Sequence, residues 1–516
     1  MRFSPRSAAR SLLVGAVALS GSAAIAITTT YTADVVLSAT VLVVPGTGTP
    51  NPALSQNYED HAVQYYVAPG STCTDVDCVG VPYIAQFWPF PFAGWGGLEG
   101  AKWNVSVQSG VSSLATAYGA QLTPPAPGQE QDYNPDHEVV IFGYSQGATV
   151  AGIYKGNLAY LNNPTDPTLP SNVSFVLIGN PNRPNGGLFE RLAALGTVPI
   201  LDATFGNPTP TDTAPDGVVN TDDIALQYDG VADAPSWVLN PLALANALAG
   251  FEYVHGTYLA PKGSDEAGVT PYGYTPEQVQ AAVANAQANC SEVTHCQVHG
   301  DTRYITLPAK YLPIMQPLID LGAATGTSAV VIPLVDLVSP ALQTLIETGY
   351  DRGDYGSPTP FQLVPRVNPV KLVGDLINDI PEGIQAARNP GLDPLPGWSD
   401  PTEAADAADS QDTVTVSDTT AVTTGSPKTP GSPKLNVLKV GPLATTATDA
   451  DDTATPTVET KRPKLRVGDV HPARDLAKSI RSTVRKALGG QNSTADAAKG
   501  KAKQAKANAT EKKPAA

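Results

Sequence analysis

Cysteine is scarce in this sequence of 516 residues, which contains only four. So few cysteines exclude a disulfide-dense scaffold. They form two close pairs, Cys73/Cys78 and Cys290/Cys296. We predict a short-loop disulfide for each pair, and no metal or cofactor. A metal site is the alternative for the second pair, because His295 lies between its cysteines and His299 follows, and thiolate and imidazole groups are zinc ligands.

Basic residues are scarce in most of the chain. Residues 1–427 contain 14 Lys and Arg against 40 Asp and Glu, a formal net charge of −26. The remaining residues contain 18 against 8, a net charge of +10. Binding a polyphosphate backbone depends on a concentrated basic face, so the acidic part is not expected to bind nucleic acid. The basic end is expected to be solvated, with peripheral contact to an anionic envelope polymer as the alternative.

Uninterrupted apolar runs are also rare, and the N-terminal region has the longest. Basic residues within the first ten positions precede an uncharged stretch from Ser11 to Ala33, which contains the small-residue triplet Ala24-Ile25-Ala26. This arrangement is typical of a secretory signal, predicted here for residues 1–33, with an uncleaved membrane anchor as the alternative. We therefore expect a secreted or cell-envelope location. The oxidising compartment reached by export is the reason why disulfides are favoured over a metal.

From Thr40 to about Tyr258, apolar β-type runs alternate with helical patterns. Strands are predicted over residues 40–45, 137–145, 173–179 and 223–230, and helices over 104–121, 146–161 and 241–250. Such alternation indicates an α/β fold with a doubly wound, mostly parallel sheet. Right-handed crossovers would place helices on both faces of that sheet.

The composition changes twice after this region. Proline-punctuated Leu/Ile/Val helices follow residue 260, and from about Asp400 the sequence becomes rich in Thr, Ala, Ser and Asp, then in Lys, Arg and Ala. We predict an α/β core over residues 34–260 and a helical cap, or C-terminal part of the same domain, over 261–399. A separate helical domain is the alternative. Residues 400–516 are predicted to be a disordered tail, since they have too few apolar residues to order themselves.

A G-x-S-x-G motif, Gly143-Tyr144-Ser145-Gln146-Gly147, lies between a predicted strand and a predicted helix. The pattern alone is weak, but its setting is the strand–turn–helix that a nucleophile elbow requires. Flanking glycines permit close packing around a strained serine, and the helix N-terminus stabilises nearby negative charge. The alternative is a glycine-rich turn with an idle serine. We predict that Ser145 is a nucleophile.

A serine nucleophile needs a base and an orienting carboxylate, which in this fold follow it in the order Ser, Asp, His. His255, in FEYVHGTYL, is the histidine on a loop beyond the final predicted strand. The segment IALQYDGVADAP offers two acids, Asp229 and Asp233. We favour Asp233, because the run G-x-x-D-x-P puts it on the turn after the strand, and keep Asp229 as the alternative.

Backbone N–H groups must also stabilise the tetrahedral intermediate. We predict one from Gln146 and a second from Thr47 or Gly48, in the loop GTGT after the first strand. A phosphate-binding loop is the competing interpretation, but the G-K-[ST] ending is lacking. The aromatic segment QFWPFPFAGWGGLEGAKW is a candidate acyl-binding groove or a loop packed on the core.

GYSQGA after an apolar strand resembles the cutinase-type serine hydrolases. The set VVPGTGTPNP, GYSQGA, QYDGVADAP and YVHGTYL resembles the PE-PPE domain of mycobacterial envelope proteins, over roughly residues 35–350. The resemblance implies an α/β-hydrolase (cutinase-like) fold and a triad of Ser145, His255 and Asp233 or Asp229. It also implies esterase, lipase or acyltransferase chemistry on lipid esters. The sequence differs in having an export signal where the family has a helical PE or PPE module, so general secretion is expected.

Three functions are compatible with these features. The first is a secreted serine esterase or lipase that forms an acyl-enzyme on Ser145. The second is an acyltransferase that moves the acyl group onto an envelope glycolipid such as a trehalose ester. The resemblance implies acyl transfer for proteins of this layout, and transfer would need a cap that excludes water. The third is a non-catalytic envelope-binding protein that uses the fold as a scaffold.

Overall fold

The computed structural model describes residues 39–123, 137–263, 265, 269–365, 367–389 and 394–402. The predicted signal in residues 1–33 lies outside the described residues. The predicted disordered tail also lies outside them, except for residues 400–402. Both therefore remain predictions.

A seven-stranded sheet forms the centre of the described part. Its strands are β1 (Thr40–Val44), β2 (Asp77–Gly80), β3 (Val139–Tyr144), β4 (Val173–Ile178), β7 (Thr221–Leu226), β8 (Cys296–His299) and β9 (Thr302–Leu307). A separate antiparallel pair consists of β5 (Thr197–Val198) and β6 (Ala203–Thr204). The spatial order in the sheet is β2-β1-β3-β4-β7-β9-β8. All its pairs are parallel except β8 with β9, which confirms the predicted mostly parallel sheet.

Helices cover both faces of this sheet. They are α1 (Tyr58–Ala62), α2 (Trp103–Gln121), α3 (Gln146–Asn162), α4 (Leu188–Arg191), α5 (Pro241–Tyr253), α6 (Pro276–Asn289), α7 (Gln316–Thr325), α8 (Ser328–Glu347) and α9 (Pro369–Ala386). Val41 and Val43 of β1 belong to a buried cluster that includes side chains of α6. Leu42 and Val44 belong to a second cluster, with side chains of α2 and α3. Because successive strand residues point to opposite faces, the sheet is doubly wound, as predicted.

Helix α5 determines where the next loop begins. Its N-cap is Asn240, whose side chain accepts hydrogen bonds from the N–H groups of Leu242 and Ala243, and Pro241 follows the cap. A side-chain cap and a proline in the first turn both favour a helix start. The helix runs to Tyr253, beyond the predicted end at Gly250. His255 therefore follows it almost at once, in a short 3₁₀ turn, His255–Thr257.

The predicted core boundary at residue 260 is wrong, because the sheet continues beyond it. β9 pairs in parallel with β7, and β8 pairs with β9 at the edge of the sheet. The region 261–399 is therefore not wholly helical. β8 and β2 are short, and neither is flanked by a strong apolar run, so periodicity gives little sign of them.

Helices α7 to α9 form the proline- and leucine-rich part of the chain. α8 packs against α9 and against α5. By length and composition only, α8 could cross a membrane, although it contains two prolines and the buried Asp336. Apolar side chains of α9, including Val370, Val373 and Ile377, are exposed. This part of the molecule thus packs onto the core while leaving aliphatic surface uncovered.

Candidate active site

Ser145 lies at the sharp turn between β3 and α3. Its backbone has φ 55° and ψ −117°, an unusual conformation for a residue other than glycine. The two glycines of the motif permit this turn. A Cβ on Gly147 would lie 2.2 Å from the carbonyl oxygen of Val44, and one on Gly143 would lie 2.6 Å from the carbonyl oxygen of Gly147. The motif therefore forms the strand–turn–helix of a nucleophile elbow, as predicted.

His255 faces the serine. Its Nε2 lies 2.8 Å from Ser145 Oγ. The His255 side chain is buried. The backbone carbonyl of His255 accepts a hydrogen bond from the hydroxyl of Tyr144, the residue just before the serine. The structure thus brings the predicted histidine and Ser145 together. The prediction that His255 follows the final strand is wrong, since β8 and β9 come later in the chain.

Asp229 occupies the other side of the imidazole. Its two carboxylate oxygens lie 2.9 and 3.0 Å from His255 Nδ1. The same carboxylate accepts hydrogen bonds from the Tyr258 hydroxyl at 2.8 Å and from the Val231 N–H at 2.9 Å. With Nδ1–H donating to Asp229, Nε2 is free to accept the serine proton. The three side chains form a continuous Ser–His–Asp hydrogen-bonded chain.

Asp233, the favoured acid in the sequence analysis, lies elsewhere, so that prediction is wrong. Its carboxylate forms an ion pair with Arg352 at 2.5 Å and accepts the Tyr228 N–H at 2.8 Å. Burial alone would raise the pKa of Asp233, but the charge and hydrogen bond of Arg352, the Tyr228 N–H and the charge of Arg183 together lower it. The physical reason for the error is that β7 ends at Leu226, before the predicted end at Gly230. Asp229, the alternative, is therefore already on the turn.

The candidate oxyanion donors lie where α3 meets the loop after β1. Gln146 is the first residue of α3, so its N–H has no acceptor within the helix. Its side chain is fixed by the Ser106 hydroxyl, which donates to Oε1 at 2.8 Å. The Gly48 N–H donates to the Ala85 carbonyl at 2.8 Å, which contradicts Gly48 as a donor to substrate. Thr47 is the remaining candidate from that loop.

Three buried tyrosines hold these parts in place, and the sequence analysis missed all three. The Tyr58 hydroxyl accepts the Gly46 N–H at 3.0 Å, and the Tyr83 hydroxyl donates to the Pro45 carbonyl at 2.8 Å. Tyr258 donates to Asp229 and accepts the Leu226 N–H at 2.8 Å. Only Tyr258 had a signal in the sequence, since it lies one helical turn after His255.

Both predicted disulfides are formed. With Cys290 and Cys296 joined, their sulfurs are not thiolate ligands, which removes the alternative of a metal site there. His299 Nδ1 lies 3.2 Å from an Asp354 carboxylate oxygen. His295 lies 3.4 Å from the Tyr355 hydroxyl, and its pKa is lowered, chiefly by burial.

Comparison with known proteins agrees with the resemblance found in the sequence. "Esterase PE16" of Mycobacterium tuberculosis is 34% identical over 334 residues, covering 64% of this chain and 52% of that protein. "Diacyltrehalose acyltransferase Chp2" of the same organism is 26% identical over 281 residues, covering 53% of this chain and 65% of that protein. The chain thus spans about half the length of the first of these relatives and less than two thirds of the second.

Among solved structures, a cutinase-like protein from Cryptococcus sp. is 19% identical, with a TM-score of 0.23, over 38% of this chain and 79% of that chain. A family model described as PE-PPE domain matches residues 75–351, more than half of the sequence. The matched range includes the elbow, Asp229 and His255. The chain belongs to the PE-PPE domain family.

Proposed function

We propose that the protein is a serine esterase or lipase that hydrolyses lipid esters through an acyl-enzyme on Ser145. The observation that carries the proposal is the hydrogen-bonded chain from Ser145 Oγ through His255 to Asp229, with contacts of 2.8 and 2.9 Å. A base at hydrogen-bond distance, itself oriented by a carboxylate, is what a serine requires to attack an ester.

Each group then has one role in acylation. Ser145 Oγ bonds to the ester carbonyl carbon while His255 Nε2 takes its proton. Asp229 stabilises the imidazolium that results, and backbone N–H groups of Gln146 and Thr47 receive the oxyanion. Collapse of the intermediate breaks the bond to the alcohol, which leaves with the proton from His255. Water repeats the sequence and releases the free acid and the serine.

One observation supports an acyl chain in the substrate, and a second supports ester chemistry. The aromatic segment lies directly on the loop after β1, since a Cβ on Gly94 would lie 2.5 Å from the carbonyl oxygen of Gly48. Aromatic and apolar walls with few polar groups suit acyl chains. One relative is named an esterase.

We also propose secretion or a cell-envelope location, for which the two disulfides are the structural support.

An acyltransferase is the second candidate, because one relative is named a diacyltrehalose acyltransferase. Both candidates share the acyl-enzyme and differ only in the final acceptor, which is water or the hydroxyl of a sugar or glycolipid. The distinction therefore depends on which acceptor reacts faster with the acyl-enzyme.

The test uses the purified full chain with p-nitrophenyl esters and a fluorophosphonate probe. Wild type should turn over the esters and be labelled at Ser145, whereas Ser145→Ala should lose both. Ser112→Ala is the matched control, because Ser112 is exposed on α2, with its hydroxyl bonded to a backbone carbonyl of its own helix. Full activity in Ser145→Ala would refute the proposal, and absence of labelling in wild type would favour the non-catalytic envelope-binding function.

The same acyl-enzyme distinguishes the two catalytic candidates. It should be trapped with a slow ester and its breakdown followed with and without trehalose or a trehalose glycolipid. Acceleration with formation of the acylated sugar would establish transfer. Equal rates with every acceptor would leave hydrolysis as the activity.

A further inference from the structure

Five aromatic rings form one connected cluster beside the triad, which we name the aromatic wall. Its members are Phe87, Phe90, Phe92, Trp95 and Phe251. The ring centroids of neighbouring members lie 5.0 to 6.4 Å apart. Four members come from the aromatic segment and the fifth from the last turn of α5. The wall thus joins two parts of the chain that the sequence separates widely.

One end of the wall reaches the catalytic base. The Phe251 ring stacks on the His255 ring, with centroids 6.2 Å apart and an interplanar angle of 17°. The other side of the wall touches the loop after β1, since a Cβ on Gly48 would lie 3.3 Å from Trp95 Cδ1. The wall therefore borders both the base and the loop of the candidate oxyanion donor Thr47.

Part of the wall faces solvent instead of filling the core. Phe90 and Phe92 are 36% and 44% exposed, whereas Trp103 at the end of the same segment is 5% exposed. The two exposed rings stack on each other, with centroids 6.3 Å apart, and their backbone is hydrogen-bonded within the segment, from the Phe90 N–H to the Phe87 carbonyl and from the Trp95 N–H to the Phe92 carbonyl. Within the segment, the Phe87 N–H donates to the Trp95 carbonyl at 3.1 Å. Rigid apolar rings next to a reaction centre lose little entropy when they bind a chain.

We propose that the aromatic wall is the acyl-chain subsite, and that it gives the enzyme a preference for long-chain acyl esters. The inference rests on the proposed function, because it needs an acyl group on Ser145. In the tetrahedral intermediate the carbonyl carbon holds Oγ, the oxyanion, the alcohol oxygen and the acyl chain. The wall borders the oxyanion loop at Gly48, so an acyl chain that leaves the carbonyl carbon on that side would lie along the rings. A fully buried methylene contributes about four-fold in binding, so a one-sided wall should give about two-fold for each.

The test measures kcat/KM for p-nitrophenyl esters from acetate to decanoate, all kept below the concentrations at which they aggregate. The leaving group is constant, so only the acyl chain changes. Wild type should improve with chain length. Phe92→Ala should leave acetate within about two-fold of wild type and lower decanoate about ten-fold, and Phe90→Ala should have a similar, smaller effect.

Tyr160→Ala is the matched control. Its ring is 48% exposed on α3, about 22 Å along the helix from Ser145 at 1.5 Å per residue. It should leave the whole chain-length series unchanged. Thermal melting by circular dichroism identifies any variant that does not fold. If Phe92→Ala does not fold, Phe90→Ala replaces it in the test.

Three outcomes would overturn the inference. An equal loss for acetate and decanoate in Phe92→Ala would mean that the ring supports the triad and does not bind the chain. A chain-length series unchanged from wild type would mean that the ring contacts no acyl group. A second series would consist of acetate esters of alcohols of increasing length. If Phe92→Ala loses the length dependence in this series but not in the acyl series, the wall binds the alcohol. Failure of the proposed function is seen separately, in full activity of Ser145→Ala.

Discussion

Asp229 and Asp233 lie four residues apart, and their isosteric asparagine variants should have opposite effects. Asp229→Asn removes the charge that faces His255 Nδ1 at 2.9 and 3.0 Å. The imidazolium of the transition state then lacks its counter-charge in a fully buried site. A loss of about 10³ to 10⁴-fold in kcat is expected for such a change. The variant should still be labelled by a fluorophosphonate, only more slowly.

Asp233→Asn should instead affect stability. Asp233 is 2% exposed and pairs with Arg352, which also contacts Glu347 at 3.0 Å. Removing one partner of a buried pair costs about 3–5 kcal/mol, and because Arg352 keeps Glu347, about 2–3 kcal/mol is expected. For a folded part of this size, that corresponds to a fall in melting temperature of roughly 3–4 °C. kcat/KM at 25 °C should stay within about three-fold of wild type, because the variant leaves every contact of His255 in place.

The assay pairs p-nitrophenyl butyrate kinetics with thermal melting for both variants. The pKa of Asp233 is lowered in the folded protein, so its contribution to stability is complete above about pH 4, the ordinary aspartate value, and is lost as the pH falls further. The melting defect of Asp233→Asn should therefore be equal at pH 6 and pH 8. If Asp233→Asn loses activity while Asp229→Asn keeps it, the assignment of the acid is reversed and our reasoning is refuted.

Tyr258→Phe should lower kcat about five- to ten-fold and leave KM unchanged, because the hydroxyl bonds to buried Asp229 and cannot reach substrate; a changed KM would contradict this role. Burial raises the pKa of Glu190 to about 7, against the hydrogen bond of Asn182 and the charge of Arg191. Between about pH 4.5 and 7 the Glu190 carboxyl is protonated in the folded protein and ionised in the unfolded chain, so the free energy of unfolding should fall as the pH rises through this range. Glu190→Gln should flatten that dependence in urea melts at about pH 5 to 8. Double replacement of Cys73 and Cys78 by serine should cost less than ~3 kcal/mol, the value for a fifteen-residue loop; a larger shift in the urea midpoint would show that this disulfide does more than hold its own loop.

The parts of the site that depend on neighbouring residues were predictable. The elbow around Ser145 follows from an apolar strand, two glycines and a helix in one short segment. His255 was found because, of the four histidines after the serine, His471 lies in the predicted tail and His295 and His299 flank a cysteine. In such cases the local sequence contains the whole physical cause, since strand, turn and helix form from adjacent residues.

The parts that depend on distant residues were not predictable. The ion-pair partner of Asp233 is Arg352, 119 positions later in the chain. No local sequence pattern distinguishes Asp233 from Asp229. The Gly48 N–H is occupied by Ala85, which belongs to a different loop. β8 and β9 become strands of the main sheet because the edge of β7 is available to them, and a short alternating run does not reveal that.

The ion pair between Asp233 and Arg352 also sets the length of the smallest recombinant fragment that should fold. The match to the family model ends at residue 351, one residue short of Arg352. A fragment cut there would bury the Asp233 carboxylate without its ion-pair partner Arg352. It would also lose Gln362, whose N–H donates to the Ser236 carbonyl at 2.7 Å and whose carbonyl accepts the Val238 N–H at 3.2 Å. Fragments of the hydrolase region should therefore extend past Gln362, because the end of the family-model match is not the end of the folding unit.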